Sequence, residues 1–217
     1  MESQNLLINE IFYSIQGESS QAGRPSVFVR LSGCPLRCTW CDTAYAFNEG
    51  QKKSFSEILN EIKKYPTRLV EVTGGEPLAQ KNSIEFLRFL EDEAFEIMLE
   101  TSGAYSIQNV PKSVKIIMDL KAPASGESHR NLWDNMAWLK AGIDEIKFVV
   151  QNKEDFDFAL NIEKERNLTA SFVTLISPVF GKIDYKELAQ WILESGRPFR
   201  MQIQMHKFIW SPEARGV

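Results

Sequence analysis

The sequence predicts an α/β protein, an incomplete parallel (β/α) barrel with about six core strands. Three observations predict it. Apolar β-rich runs alternate with amphipathic helical patterns, several of the runs are apolar on both faces, and a polar or glycine-rich segment follows most of them. Strands that are apolar on both faces suit a parallel sheet covered by helices. Chemistry in such folds gathers at the carboxyl ends of the strands, so a single functional mouth at one rim is expected.

The strands are read at 26–31, 69–73, 96–100, 114–120, 145–150, 170–176 and 200–205. Val114-Lys115-Ile116-Ile117-Met118 is a clear instance of a run apolar on both faces. Helical spacing covers 54–65, 83–93, 131–141, 154–165 and 184–194. Ser54 with Glu57 forms a capping-box pattern that opens the first helix, and Gly142 is expected to cap the end of the third. The link 101–113 is too short for a full helix, so either that crossover is abbreviated or the strand count is off by one. The segments at the expected rim are Cys34 after the first strand, Gly74-Gly75-Glu76-Pro77 after the second and Thr101-Ser102-Gly103 after the third. Lys121-Ala122-Pro123, Gln151-Asn152 and Ser177-Pro178 follow the next three.

A chain of 217 residues, 43% hydrophobic and 25% charged, can build one substantial core, and a single domain over 1–217 is expected. The net charge of -4 gives no reason to expect nucleic acid or a membrane as partner. Leu6-Leu7-Ile8 is too brief for a signal sequence or a spanning helix, so the expected location is cytoplasmic, where reducing conditions keep thiols free.

All three cysteines, Cys34, Cys38 and Cys41, share one short loop in the spacing C-x3-C-x2-C. Three thiolates with no fourth cysteine suit a [4Fe-4S] cluster that leaves one iron open to a small molecule. A structural zinc completed by His129 or His206 is the main rival, although zinc ligands usually come as two separated pairs. A redox pair ranks lower, and an odd cysteine count does not suit a disulfide framework. Gly74-Gly75 alone would read as a turn, but paired glycines after a strand also let backbone come close to a ligand.

The cysteine loop after one strand and Gly-Gly-Glu-Pro after the next resemble the radical S-adenosylmethionine (SAM) superfamily. The resemblance implies a three-cysteine [4Fe-4S] cluster whose fourth iron holds SAM, cleaved reductively to a 5′-deoxyadenosyl radical. More narrowly, residues 10–18, 28–34, 40–43 and 204–207 resemble the 7-carboxy-7-deazaguanine synthase family. That family contracts 6-carboxy-5,6,7,8-tetrahydropterin to 7-carboxy-7-deazaguanine, with loss of ammonia, on the route to queuosine and related deazapurines. The likeness implies a radical SAM core with short N-terminal and C-terminal substrate-binding extensions.

By this resemblance Trp40, Asp42, Gly75, Glu76, Asp119, Lys121, Ser125 and Gln151 approach SAM. Ile15, Gln16, Gly17, Arg30, Thr73, Glu100, His206 and Val217 meet the substrate, and Thr43 places its hydroxyl on Mg2+. The physical sense is direct for two of them. The Gln16 amide can read a pterin amide edge, and Arg30 offers a fork to a carboxylate. Each has a plainer alternative. Gln16 can cap a loop, Arg30 can pair internally with Glu71 or Glu76, and Thr43 can cap a helix. Glu100 can be an exposed strand end, Lys121 a solvated lysine and His206 structural, while His129 reads as surface. No side chain is singled out as catalytic. The terminal carboxylate at Val217 is expected to help close the site.

The implied partners are a small pterin, a flavodoxin- or ferredoxin-type electron donor and a second copy in a homodimer. Two rivals stand beside this reading. One is an activase that places a glycyl radical on a partner protein, and the other is a zinc-stabilised binding module.

Overall fold

Strand β1 (Asn5–Ile15) contains the short apolar run at 6–8 and most of the 10–18 motif, and it was not among the expected strands. Its burial alternates, with Leu6, Ile8, Phe12 and Ser14 buried and Leu7 and Tyr13 exposed, but its residue types do not: Leu7, Ile11 and Tyr13 sit at the odd positions and Glu10 and Ser14 at the even ones, which hides the period of two that marks a strand. The structure, a computed structural model, describes residues 4–217; residues 1–3 of the polar N-terminal stretch lie outside them.

The other strands are β2 (Pro25–Leu31), β3 (Gln51–Ser54), β4 (Leu69–Gly74), β5 (Glu96–Thr101), β6 (Lys115–Asp119), β7 (Glu145–Val150), β8 (Val173–Pro178) and β9 (Arg200–Met201). They form one sheet in the order β3-β1-β2-β4-β5-β6-β7-β8-β9. From β2 onward neighbouring strands are parallel, while β1 runs antiparallel to both β2 and β3. The sheet is therefore open and mixed, an incomplete barrel with an antiparallel edge. The edge strand β3 is Gln-Lys-Lys-Ser, too polar to stand out in the sequence and charged as exposed edges commonly are.

Four helices match the expected amphipathic segments: α1 (Phe55–Ile62), α2 (Ser83–Asp92), α3 (Lys153–Arg166) and α4 (Tyr185–Ser195). Ser54 and Glu57 complete the capping box at α1. The helix expected over 131–141 is instead a 3-10 turn, Trp133–Ala137. Asn135 is the reason. Its buried amide accepts from Ile107 N–H (3.1 Å) and donates to the carbonyls of Gly103 (3.1 Å) and Tyr105 (2.8 Å), so it ties down a loop rather than continuing a helix. Gly142 does have a positive φ of 73°, but no α-helix precedes it. Segment 101–113 holds no helix, so the abbreviated crossover is the alternative realised.

Two more boundaries move. The expected strand 170–176 begins only at Val173, after a 3-10 turn at Leu168–Ala170. The expected strand 200–205 stops at Met201, and His206 opens a short helix, α5 (His206–Ile209), instead of following a strand.

The helices pack on one face of the sheet. Val70 and Val72 of β4, Ile97 and Leu99 of β5, and Ile146 and Phe148 of β7 share a core with Ile58, Phe86, Phe156 and Leu188 from the helices. On the opposite face Leu69, Met98 and Ile117 form a small separate apolar cluster, and Phe12, Phe28 and Val149 also face the cavity. Above that cluster the same strands turn polar and charged side chains inward, and these line the site.

Candidate active site

A cavity of about 770 Å³ opens on the inner face of the sheet, within the size range of small-molecule sites. Strands β1, β2 and β4 to β8 all contribute to its wall. The cysteine loop and residues 212–217 also contribute to its wall.

Backbone contacts hold the cysteine loop in place. Gly33 N–H donates to Ala46 (2.8 Å), Thr39 N–H to the Ser125 carbonyl (3.1 Å), and Thr39 Oγ–H to the Ala124 carbonyl (2.8 Å). The Gly-Gly segment is zipped to the same loop, with Gly75 N–H donating to Leu31 (3.1 Å) and Glu76 N–H to Gly33 (2.9 Å). A Cβ at position 75 would stand 2.3 Å from the Gly33 carbonyl oxygen, so only glycine permits this approach.

The three thiols are free, half-buried and part of the cavity wall. Burial pushes all three up from the usual cysteine pKa, so metal has to displace their protons. Among the described residues no three His, Cys, Asp or Glu side chains are grouped closely enough to hold a single metal ion. Asp119 Oδ2 pairs with Lys121 (2.8 Å), but Asp119 Oδ1 is buried without a hydrogen-bond partner. That orphaned acceptor, beside three unpaired thiols and a glycine cradle, fits a cluster with a bound donor-bearing ligand. Zinc fits less well, because His206 rests against Gly17 and His129 is absent from the cavity wall.

Across the cavity, two distant parts of the chain meet. Met205 N–H donates to the Gly17 carbonyl (3.0 Å), and a Cβ at position 17 would collide with the His206 ring. Gln204 donates to Glu18 (3.0 Å) and Asp42 (3.1 Å), while Lys207 pairs with Asp42 (2.8 Å). Thr43 occupies the cap position of a short 3-10 turn without making a cap bond; its hydroxyl donates to Asp42 (2.9 Å) and lines the cavity.

Arg30 pairs with Glu10 (2.7 Å), not with Glu71 or Glu76, and Tyr45 donates to the same carboxylate oxygen (2.8 Å). Burial, ahead of the Glu10 contact and against the pull of Arg30, raises the Tyr45 phenol to about 12. Deeper down, Lys147 contacts Glu18 (3.0 Å) and Glu100 (3.4 Å). Burial works against its ammonium, yet Glu100, Glu18 and Asp119 outweigh burial and hold its pKa well above the ordinary lysine value. Burial also raises Glu100, with Lys147 opposing it, so Glu100 is an interior group and not an exposed strand end.

Seventeen of the twenty residues expected at the site line this cavity: Cys34, Cys38, Cys41, Trp40, Asp42, Thr43, Ile15, Gln16, Gly17, Arg30, Thr73, Gly75, Glu100, Asp119, Lys121, His206 and Val217. Glu76, Ser125 and Gln151 do not. The Glu76 carboxylate is fully buried and accepts from Ser102 N–H (2.7 Å), Thr101 Oγ–H (2.9 Å) and Leu78 N–H (2.9 Å), which fixes the Gly-Gly turn from behind. Ser125 is buried with its hydroxyl on the Ala122 carbonyl (2.5 Å), and its own carbonyl anchors the cysteine loop. Gln151 donates through its backbone to Asp155 (2.9 Å) at the start of α3.

Sequence reasoning missed Glu18, Glu71 and Lys147 as cavity residues. The signal was present, since Glu71 and Lys147 are charges inside otherwise apolar strands.

Residues 28–122 match the Radical SAM superfamily. A 7-carboxy-7-deazaguanine synthase of Koribacter versatilis is 42% identical over 97% of this chain and 99% of its own length. One of Chlorobaculum tepidum is 41% identical over 98% and 97%. Among solved structures, QueE from Escherichia coli superposes with a TM-score of 0.77 at 23% identity, covering 93% of this chain and 95% of that one. SuiB of Streptococcus suis, bound to S-adenosylmethionine, gives 0.51 at 15% identity over 83% and 47%. These two likenesses speak to the fold.

Proposed function

The chain belongs to the 7-carboxy-7-deazaguanine synthase family of radical SAM enzymes, and from that premise we propose its reaction: contraction of 6-carboxy-5,6,7,8-tetrahydropterin to 7-carboxy-7-deazaguanine with loss of ammonia. The observation that carries the reading is the meeting, in one cavity, of the cysteine loop, the Gly-Gly segment and a buried acid-lysine cluster suited to a small polar heterocycle. The activase reading is disfavoured by the same family membership, since the relatives at 41–42% identity are named 7-carboxy-7-deazaguanine synthases. The zinc-module reading falls with the family membership.

When bound through Cys34, Cys38 and Cys41, the [4Fe-4S] cluster supplies reductive cleavage of SAM and hence the radical that starts the reaction. Gly75 presents backbone beside the cluster loop, and Asp119 with Lys121 offers an acceptor and a donor to SAM. Arg30 takes the substrate carboxylate, Gln16, Gly17 and Thr73 bound the ring, and Glu100 with Lys147 receives its guanidine-like edge. His206 presses on Gly17 and fixes that edge of the pocket. Thr43 is the proposed protein ligand of Mg2+, a hard ion whose remaining positions fall to water and substrate oxygens. The domain is one radical SAM core with substrate-binding extensions at both ends. The reading also includes a homodimer, a flavodoxin- or ferredoxin-type donor and a cytoplasmic location, where the thiols stay reduced for iron.

Anaerobic reconstitution with iron and sulfide, followed by SAM, reductant, Mg2+ and the carboxytetrahydropterin, tests the reading by mass spectrometry. Appearance of 7-carboxy-7-deazaguanine is expected, with a lower rate after chelation of Mg2+. Cleavage of SAM without that product would refute the pterin assignment.

A further inference from the structure

Glu71 lies on the inner face of β4, in register with Phe28 on β2 and Met98 on β5. It stands just above the apolar layer of Leu69, Met98 and Ile117, is 2% exposed, and lines the cavity. Nothing assigned so far uses it.

We propose that Glu71 is the catalytic acid that protonates the departing amine, a role that rests on the ring-contraction reading. The argument begins with charge counting. Glu18, Glu71 and Glu100 share this part of the cavity with Lys147, whose ammonium engages Glu18 (3.0 Å) and Glu100 (3.4 Å). Arg30 makes its ion pair with Glu10, through Nε alone (2.7 Å), and none with Glu71. Glu71 has only the neutral amide of Gln16 as hydrogen-bond partner, and the same amide is held from its other end by Glu18 N–H (3.0 Å). A carboxyl with an apolar floor, two carboxylate neighbours and no paired cation keeps its proton. The direction agrees. Burial first, then Glu100 and Glu18, push Glu71 well above the ordinary carboxylate range, and the opposing pull of Lys147 and Arg30 does not cancel them.

The chemistry needs such a group. After ring contraction the amine and the carboxylate sit on one carbon, next to a CH2. As the C–N bond breaks, its electron pair leaves on nitrogen and takes the Glu71 proton, releasing ammonia. The adjacent CH2 loses a proton to the Glu71 carboxylate, and its C–H electron pair forms the new ring double bond. The residue ends as it began, and no oxidant or reductant is consumed.

The test is Glu71→Gln in the reconstituted enzyme, with substrate deuterated at the hydrogen-abstraction carbon. The amide matches a neutral carboxyl in shape and keeps an acceptor for Gln16, but has no proton to transfer. Deuterium should still enter SAM at close to the wild-type rate, while ammonia and deazaguanine release fall roughly 100-fold and a ring-contracted isomer of the substrate accumulates. Glu71→Asp should recover part of the release rate. The wild-type rate should drop as pH rises through the Glu71 pKa, a limb the Gln variant lacks.

Folding supplies an independent check. A carboxyl whose pKa is raised on folding loses stabilising proton binding as pH rises above the unfolded value of about 4.3, so the wild type carries a penalty at high pH that the variant escapes. The melting temperature of the variant should match or exceed that of the wild type at pH 8, with a smaller gap at pH 5. Ammonia release at the wild-type rate by the variant, a defect confined to KM, or parallel loss of deuterium transfer would overturn the proposal. A wild type that makes no deazaguanine would overturn the ring-contraction reading itself.

Discussion

Arg30 sits in the run Val-Phe-Val-Arg-Leu, where an unpaired guanidinium would be expensive, and the fold provides Glu10 from the neighbouring strand. Only Nε makes that contact, at 2.7 Å, which leaves the forked end of the side chain for an anion in the cavity. Replacement by lysine preserves charge but loses the fork. Arg30→Lys should raise KM for the pterin about tenfold to a hundredfold, the equivalent of one charged hydrogen bond, with kcat little changed. Steady-state kinetics would show this, and an equal fall in kcat would point to a role in the chemical step. The need for a partner at Arg30 was legible in the sequence, but its identity was not. Glu10 lies 20 positions away, and only the antiparallel register of β1 on β2, which sets Glu10 opposite Arg30, makes the pair. Glu71 and Lys147 follow the same pattern. A charge within an apolar strand signals a buried polar site, and its neighbours come from other strands.

Local signals at the level of the element succeed where the backbone is satisfied locally. The Ser54–Glu57 capping box depends on four consecutive residues and appears as read, with Ser54 N–H donating to Glu57 (2.7 Å) and Glu57 N–H to Ser54 Oγ (3.3 Å). Ser54→Ala should cost about 1 kcal/mol and lower the melting temperature by roughly 2–4 °C, because α1 packs on the outer face away from the cavity. Calorimetry checks the shift, and turnover should not change. The 131–141 segment shows the opposite case. Its spacing suits a helix, yet the Asn135 amide serves three backbone groups of the loop at 103–107, and that long-range bargain overrides propensity. The last strand fails for a related reason. After Met201 the chain leaves the sheet so that Gln202 and Gln204 can both reach Glu18 (2.9 and 3.0 Å).

At the scale of the whole molecule, the C-terminal segment folds back against the cavity wall. Arg215 stacks on Tyr45 (3.7 Å to the ring centroid) and approaches Glu49 (3.2 Å), while Gly216 and Val217 line the cavity. Deletion of residues 215–217 should raise KM for the pterin and reduce turnover while iron content and melting temperature stay near wild type. Elemental analysis and calorimetry alongside kinetics would separate loss of closure from loss of fold.

The sequence by itself determined the α/β alternation, the grouping of three cysteines in one loop and the Gly-Gly turn after the second core strand, because each is written in local spacing, while most cavity residues were legible only through the family motifs. The tertiary structure alone decided the open mixed sheet, the Glu10 partner of Arg30, the seat of Arg215 on Tyr45 and the acid cluster around Lys147. Those features depend on which strands are neighbours and in what register. Buried charges gain their meaning from groups distant in sequence, and only the folded sheet sets those distances.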